Sequence, residues 1–319
     1  MASENKTTIP YVRLGNSGLK VSKLILGCMS YGTPEWQEWV LDEKASIEHI
    51  KFAYEAGINT FDTADVYSGG VSEEVLGKAL REIGAPRESV VILTKVFNPV
   101  IRPGSGKTVD PNGRGLNSLR RLGVDYIDVL QCHRFDYDTP IAETMQALHD
   151  VVQKGWVRYI GMSSCFAYQF QAMQNYAINN KLTPFISHQP FYNASYREEE
   201  REVIPTLKVR FLSRPWNAEE TVRVKTDTNY KGRGTDKPDE SRKAINERVE
   251  EIAKKKGVSM AQVALAWVLA NDAVTAPIIG TTKLDSLKEL IGALDVKLTP
   301  EEKAYIDEPY TPRNIIGHT

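Results

Sequence analysis

Apolar and polar positions follow two rhythms along this chain. Short unbroken apolar runs, such as Leu24 to Leu26, Val90 to Leu93 and Val129 to Leu130, are separated by stretches where apolar residues recur every three or four positions. A continuous β-branched and aromatic run predicts a strand buried on both faces, and the longer period predicts an amphipathic helix. After a hairpin turning at Gly15-Asn16-Ser17-Gly18, strands are predicted at 24–28, 59–65, 89–96, 125–133, 157–163, 184–190 and 274–279. Helices are predicted at 42–56, 71–83, 115–122, 140–154, 167–180, 197–208, 241–256, 259–271, 284–294 and 299–307. In the first of these Ile47, Ile50, Ala53 and Tyr54 share a face and Gly57 is the stop.

Regular strand–helix alternation implies a parallel sheet, open or closed into a barrel. An open sheet gathers its ligands at one switch point, whereas here ionisable residues end successive strands. No G-x-G-x-x-G follows a strand; the Gly-Arg-Gly triplets at 113–115 and 232–234 read as loops. The expected fold is α/β, a TIM-type (β/α)8 barrel with an N-terminal hairpin. No linker rich in Pro, Gly or Ser divides it, so residues 1–319 are expected to form a single domain. One unit is short: between helix 197–208 and Trp216 only Val209 to Ser213 offers a seventh strand. The span from Val96 to Asp125 likewise holds a long polar loop and a helix of about two turns, short for an outer ring.

Composition narrows the partners. Forty basic and 41 acidic residues are interspersed at a net charge of -1, and the basic stretch Arg223 to Lys237 contains Asp227 and Asp236. This is a solvated loop rather than a nucleic-acid arm. Cys28, Cys132 and Cys165 lack metal-ligand spacing, and their odd number fits reduced thiols. With no apolar leader and no membrane-length apolar run, the expectation is a cytoplasmic protein without membrane, nucleic-acid or metal partners.

The chemistry lies where the strands end. Asp62 closes one apolar run, Lys95 the next and His133 a third, and Tyr67 follows Asp62 by five residues. Charges are rarely stranded at such positions without a partner. A nearby ammonium lowers the pKa of a tyrosine and makes it a better proton donor; Asp62 would supply the counter-charge, and His133 would orient a carbonyl oxygen. A carbonyl that takes a proton this way also needs a hydride, which no side chain provides, so a nicotinamide cofactor is implied. The competing readings are a structural Asp62–Lys95 ion pair, a core histidine and a packing tyrosine. Asp65 reads as a helix or loop cap. Trp36 and Trp39 line a substrate pocket or pack their own loop, and His188, Phe191 and Tyr192 flank Gln189 as strand packing or pocket. Cys132 and His133, adjacent on a strand, face opposite ways and make no nucleophile pair. Gly104-Ser105-Gly106-Lys107-Thr108 lacks the first glycine of a phosphate loop.

Phe61-Asp62-Thr63-Ala64-Asp65-Val66-Tyr67, Leu93-Thr94-Lys95, Gln131-Cys132-His133-Arg134, Arg158 to Ser164 and Pro277-Ile278-Ile279-Gly280-Thr281-Thr282 resemble the aldo-keto reductase superfamily, in particular a fungal branch of it. The resemblance runs from about residue 11 to 308. It implies Tyr67 as general acid, tuned by Lys95 and Asp62, with His133 placing the substrate. It further implies Ser163, Ser164 and Gln189 at the cofactor's carboxamide, with Gly280, Thr282, Lys283 and Glu289 at its adenosine end. Lys283 favours NADP over NAD. Ser164, Ser286 and Leu290 depart from the family's usual Asn, Gln and Asn. Internal deletions are expected near residues 116–117 and 208–211, removing a nicotinamide-stacking aromatic and a pyrophosphate loop. The implied function is NADPH-dependent reduction of an aldehyde or ketone, with a role in fungal secondary metabolism. The alternative is an impaired barrel serving as a binding or regulatory protein. The small-molecule partner is a carbonyl compound, and the oligomeric state is left open.

Overall fold

The computed structural model describes residues 9–104, 117–203 and 239–318. Strand β1 (Tyr11–Arg13) pairs antiparallel with β2 (Lys20–Ser22), and Gly15 takes the left-handed φ of 57° that the turn requires. Then come β3 (Ile25–Gly27), α1 (Glu43–Glu55), β4 (Thr60–Asp62), α2 (Val71–Ile83), β5 (Val91–Val96) and α3 (Asn117–Leu122). The middle of the chain gives β6 (Ile127–Cys132), α4 (Ile141–Gln153), β7 (Val157–Ser163), α5 (Ala167–Asn179) and β8 (Phe185–Gln189). The last described stretch holds α6 (Glu240–Lys256), α7 (Met260–Leu269), β9 (Ile278–Ile279), α8 (Leu284–Ile291) and α9 (Pro300–Asp307).

Local chemistry accounts for the helix ends. The Asp42 side chain accepts from Ala45 N at the start of α1, and Ser259 and Thr299 form capping boxes ahead of α7 and α9. Gly84 and Gly257 end α2 and α6 in the left-handed conformation.

The seven strands after the hairpin form one parallel sheet in the order β8-β7-β6-β5-β4-β3-β9. All their C-terminal ends therefore lie on one rim, which is how residues distant in sequence meet. Side-chain alternation sorts each strand between two packing layers. Outward residues such as Ile92, Leu130, Cys132, Ile160 and Met162 join the cluster under the helices. Inward residues Val91, Leu93 and Val129 pack with Leu14 and Val21 of the hairpin segment, and with Tyr159 and Ile186. The next inward positions up the strands are Lys95 and Gln131, so the charges sit on an apolar plug. The hairpin is its floor: Ser22 N donates to Asn59 Oδ1 and Thr60 Oγ1, and Lys23 Nζ to the Val274 and Thr275 carbonyls.

Two expectations need correction, and one strand carries an irregularity. The strand expected at 274–279 is confined to Ile278–Ile279, because Pro277 has no N–H for a ladder and its carbonyl instead accepts from Ile25 N. The helix expected at 197–208 begins as a single 3-10 turn at Glu198–Glu200, its acids drawn to tertiary partners; residues 201–203 continue as turn, and 204–208 lie outside the described residues. Strand β8 is not regular: pairing jumps from Ile160↔Phe185 to Gly161↔Ser187, leaving Ile186 as a bulge. The bulge resets the alternation, so that both Ile186 and Gln189 point inward. The makeshift strand Val209 to Ser213 and the loop 105–116 lie outside the described residues. No helix among the described residues is long and apolar enough to cross a membrane.

Candidate active site

The rim collects the residues that end β4, β5, β6 and β8. Lys95 is 1% exposed, and its ammonium donates to Asp62 Oδ1 (2.8 Å), Asp62 Oδ2 (2.6 Å) and the Thr63 carbonyl (2.8 Å). Asp62 is held from the other side by Gln131 Nε2 and Gln189 Nε2, each at 3.4 Å, while Gln131 Nε2 donates to Gln189 Oε1 at 2.9 Å. Sequence reasoning quoted Gln131 in a motif and gave it no task. Its inward register opposite Lys95 was the available signal.

Tyr67 returns over this pair because the chain reverses just after it. Ser68 (φ 51°) and Gly69 (φ 61°) are both left-handed, and a Cβ on Gly69 would meet the Ile101 carbonyl oxygen at 2.2 Å. Ser68 is a non-glycine residue in that region, a cost of order 1 kcal/mol that surrounding contacts must offset. The Lys95 ammonium lies 5.3 Å from the Tyr67 ring centroid, and His133 packs edge-on to the same ring at 5.8 Å. Trp36 is tilted against Tyr67 at 6.2 Å and against Trp39 at 6.4 Å. An aromatic file thus leads from the loop after β3 to the phenol.

Burial raises the Tyr67 pKa above its ordinary value, with Lys95 drawing it down and Asp62 pushing it up. The phenol is therefore a protonated donor at neutral pH. Burial alone would lower the Lys95 ammonium, but Asp62 and Tyr67, by charge and hydrogen bonding, raise it, so it stays charged. Burial lifts the Asp62 carboxyl, and Lys95, Gln189 and Gln131 hold it back.

The polar residues expected at the carboxamide also come together. Ser163 lies in register with Gln189, its Oγ donates to the Gln189 carbonyl at 2.8 Å, and Ser164 N approaches the same oxygen at 3.5 Å. Gly280, Thr282 and Lys283 lie in the turn between β9 and α8 and Glu289 on α8, at the other edge of the sheet. Gly280, Thr282 and Lys283 are exposed. Lys283 is the N-cap of α8, without a side-chain capping bond.

Several candidates settle into packing. Asp65 does not cap α2, whose N-cap is Gly70; it is 1% exposed, and burial together with Glu73 pushes its carboxyl up to about 7. The Cys132 thiol is raised by burial to about 12, which keeps it protonated and unreactive. His188 faces Phe170 and Cys165 in the outer layer and is held neutral, its pKa lowered by burial to about 3. Tyr192 stacks on Trp267 at 5.3 Å, and Phe191 packs on Tyr196 at 5.0 Å. No cluster of three His, Cys, Asp or Glu side chains suited to a metal occurs among the described residues.

Comparison with known proteins gives a consistent result. The sequence profile of the Aldo/keto reductase family matches residues 23–310. Versiconal hemiacetal acetate reductase of Aspergillus parasiticus is 47% identical, over 96% of this chain and 98% of its own. A Saccharomyces cerevisiae protein named as an aryl-alcohol dehydrogenase is 42% identical over 96% and 98%. An aldo-keto reductase of Alternaria alternata, AMT2, is 42% identical over 97% and 94%. The Aspergillus alignment runs over 338 positions although this chain has 319 residues, so the relative carries residues with no counterpart here.

Proposed function

The chain belongs to the aldo/keto reductase family, whose fold is the (β/α)8 barrel, and from that premise we propose that it reduces an aromatic aldehyde or ketone to the alcohol with NADPH, in the cytoplasm and as part of fungal secondary metabolism. The observation that carries this is the Lys95 ammonium, bound to both oxygens of Asp62 and facing the ring of Tyr67, with His133 edge-on beside it.

The donor set fits the cofactor. Ser163, Ser164 and Gln189 would hold the carboxamide; exposed Gly280, with Thr282, Lys283 and Glu289, would meet the adenosine end, Lys283 taking the 2′-phosphate. When bound, NADPH supplies hydride to the carbonyl carbon. Tyr67 gives its hydroxyl proton to the carbonyl oxygen, which His133 orients. Lys95 already has three oxygen acceptors, so it gains little from a neutral phenol and much from a phenolate. Its attraction thus grows as the proton leaves, which is differential stabilisation of the transition state. Trp36 and Trp39 offer an aromatic wall, and the relatives named for a hemiacetal acetate and an aryl alcohol favour an aryl substrate. The positions lacking in the Aspergillus alignment favour a second reading, a barrel that binds a ligand without turnover.

The test is NADPH consumption with an activated aromatic aldehyde, run beside Tyr67→Phe. Turnover should fall about 10²–10⁴-fold in the variant, with stability changed by less than about 1 kcal/mol. Equal rates would remove Tyr67 as the acid. A folded sample that neither binds NADPH nor turns over a carbonyl would select the second reading.

A further inference from the structure

Lys95, Gln131, Gly161 and Ser187 form one row across β5, β6, β7 and β8, each in register with the next. The row lacks a side chain at Gly161, and Gln131 takes up that space. A Cβ on Gly161 would stand 3.2 Å from Gln131 Cγ and 2.6 Å from Ser187 Oγ. From the middle of the sheet Gln131 therefore reaches two strands in each direction, to Asp62 on β4 and to Gln189 on β8.

The direction of each bond follows from one charge. Gln131 Nε2 and Gln189 Nε2 each approach an Asp62 oxygen at 3.4 Å, and a carboxylate only accepts. Both amides must therefore turn their NH2 groups towards Asp62. With that fixed, the 2.9 Å contact between Gln131 Nε2 and Gln189 Oε1 joins a donor to an acceptor. A reversed Gln189 would set oxygen against the Asp62 oxygen and nitrogen against the Gln131 nitrogen. Gln131 is 1% exposed, and both of its N–H groups are spent inside the protein. Gln189 is half-buried; it gives one N–H to Asp62 and keeps the other. The shortest bond of its side chain is the one it accepts from Gln131.

We propose that Gln131 is a positioning residue: by bridging Asp62 and Gln189 it holds the Gln189 amide in one orientation, so that the remaining N–H, not the carbonyl, meets the carboxamide oxygen of the cofactor. This rests on Gln189 belonging to the carboxamide end. Gln131 acts through Gln189, as a support that fixes a binding group before the ligand arrives. Without its donation Gln189 Oε1 loses its partner, and only a long bond to Asp62 opposes reversal of the amide. A nicotinamide carboxamide meets a reversed Gln189 by turning its own NH2 inward. An acetyl group in the same place has only an oxygen to offer.

The test is calorimetric binding of NADP⁺ and of its 3-acetylpyridine analogue to the full chain, parent and Gln131→Met. Methionine keeps the unbranched shape and removes the donor. NADP⁺ affinity should change by less than about three-fold, whereas the analogue should bind about ten-fold more weakly, the worth of one misdirected hydrogen bond. Equal weakening of both, or no change in either, overturns the proposal, since lost packing alone treats the two alike. Should Gln131→Met fail to fold, Gln131→Asn decides, because it keeps the amide but is one methylene too short to reach Gln189. Selective loss of the analogue then supports the proposal, and an unchanged ratio refutes it. Proton exchange of the Gln189 side-chain amide in cofactor-free protein labelled with ¹⁵N-glutamine, assigned by its loss in Gln189→Leu, reads the bridge without any ligand. It should quicken about ten-fold in Gln131→Met, and an unchanged rate overturns the proposal. Quickened exchange in a protein that binds neither dinucleotide sustains the bridge and rejects the carboxamide reading of Gln189.

Discussion

Asp62→Asn replaces a buried carboxylate by an amide of the same shape. Lys95 then keeps the Thr63 carbonyl and at most one amide oxygen, and loses the carboxylate paired with it. Removing one partner of a buried ion pair costs about 3–5 kcal/mol, and the surviving acceptors place this case near about 3. The sign of the pH dependence follows from the same geometry. In the parent, Lys95 is raised above its ordinary value, so its stabilisation is complete below the unfolded lysine pKa and is lost only as pH rises through the higher folded value. In the variant, burial is left unopposed and the folded pKa drops below the unfolded one. The penalty is then greatest at neutral pH and shrinks as pH rises towards the unfolded value, by up to about 1.4 kcal/mol per unit once the folded variant has released the proton. Urea unfolding of parent and variant from pH 7 to 10 reads this directly, with no need of turnover. A stability gap that is small, or that stays flat across the range, would refute the argument. A second control is Asp62→Asn combined with Lys95→Met, which should recover most of the loss because no unpaired charge remains.

The same structure makes three further predictions. Lys283→Ala should weaken NADPH binding about ten-fold in low salt while leaving NADH binding unchanged, because only the 2′-phosphate is addressed; titration of cofactor fluorescence at two ionic strengths checks it. Trp36→Ala should raise KM for an aromatic aldehyde by up to about ten-fold, the worth of one aromatic contact, and spare a short aliphatic one in parallel steady-state assays. Gly77→Ala, normally favourable inside a helix, should cost about 3 kcal/mol, because the added Cβ would lie 2.0 Å from the Leu122 carbonyl oxygen; thermal unfolding measures it.

What the sequence made legible was whatever depends on periodicity. Helix α2 ends where the apolar stripe and Gly84 place its end, and β7 spans the apolar run from Val157. Asp62, Lys95 and His133 could be located because each interrupts an apolar run at a strand end. What depends on distant partners was hidden. The bulge at Ile186 is set by packing against β7, and nothing local announces that it turns Gln189 towards Asp62. Glu73 was missed although it shares the buried stripe of α2 with Leu76 and Leu80, a placement that marks a carboxylate with an internal partner. Asp65 was taken for a cap because a polar residue before a helix usually is one. Its raised pKa follows first from burial and then from Glu73, which comes from another element.

The floor of the barrel also fixes an order of events during synthesis. Lys23 leaves the ribosome early, yet the two carbonyls it binds belong to Val274 and Thr275, 251 and 252 residues later. At about 5–20 residues per second, that separation is a wait of roughly 13–50 s. Until then Leu14 and Val21, both destined for the interior, have no completed wall to close against. Their partners Val91, Leu93 and Val129 emerge well before that, so the apolar plug has its contacts available long before its floor is pinned in place.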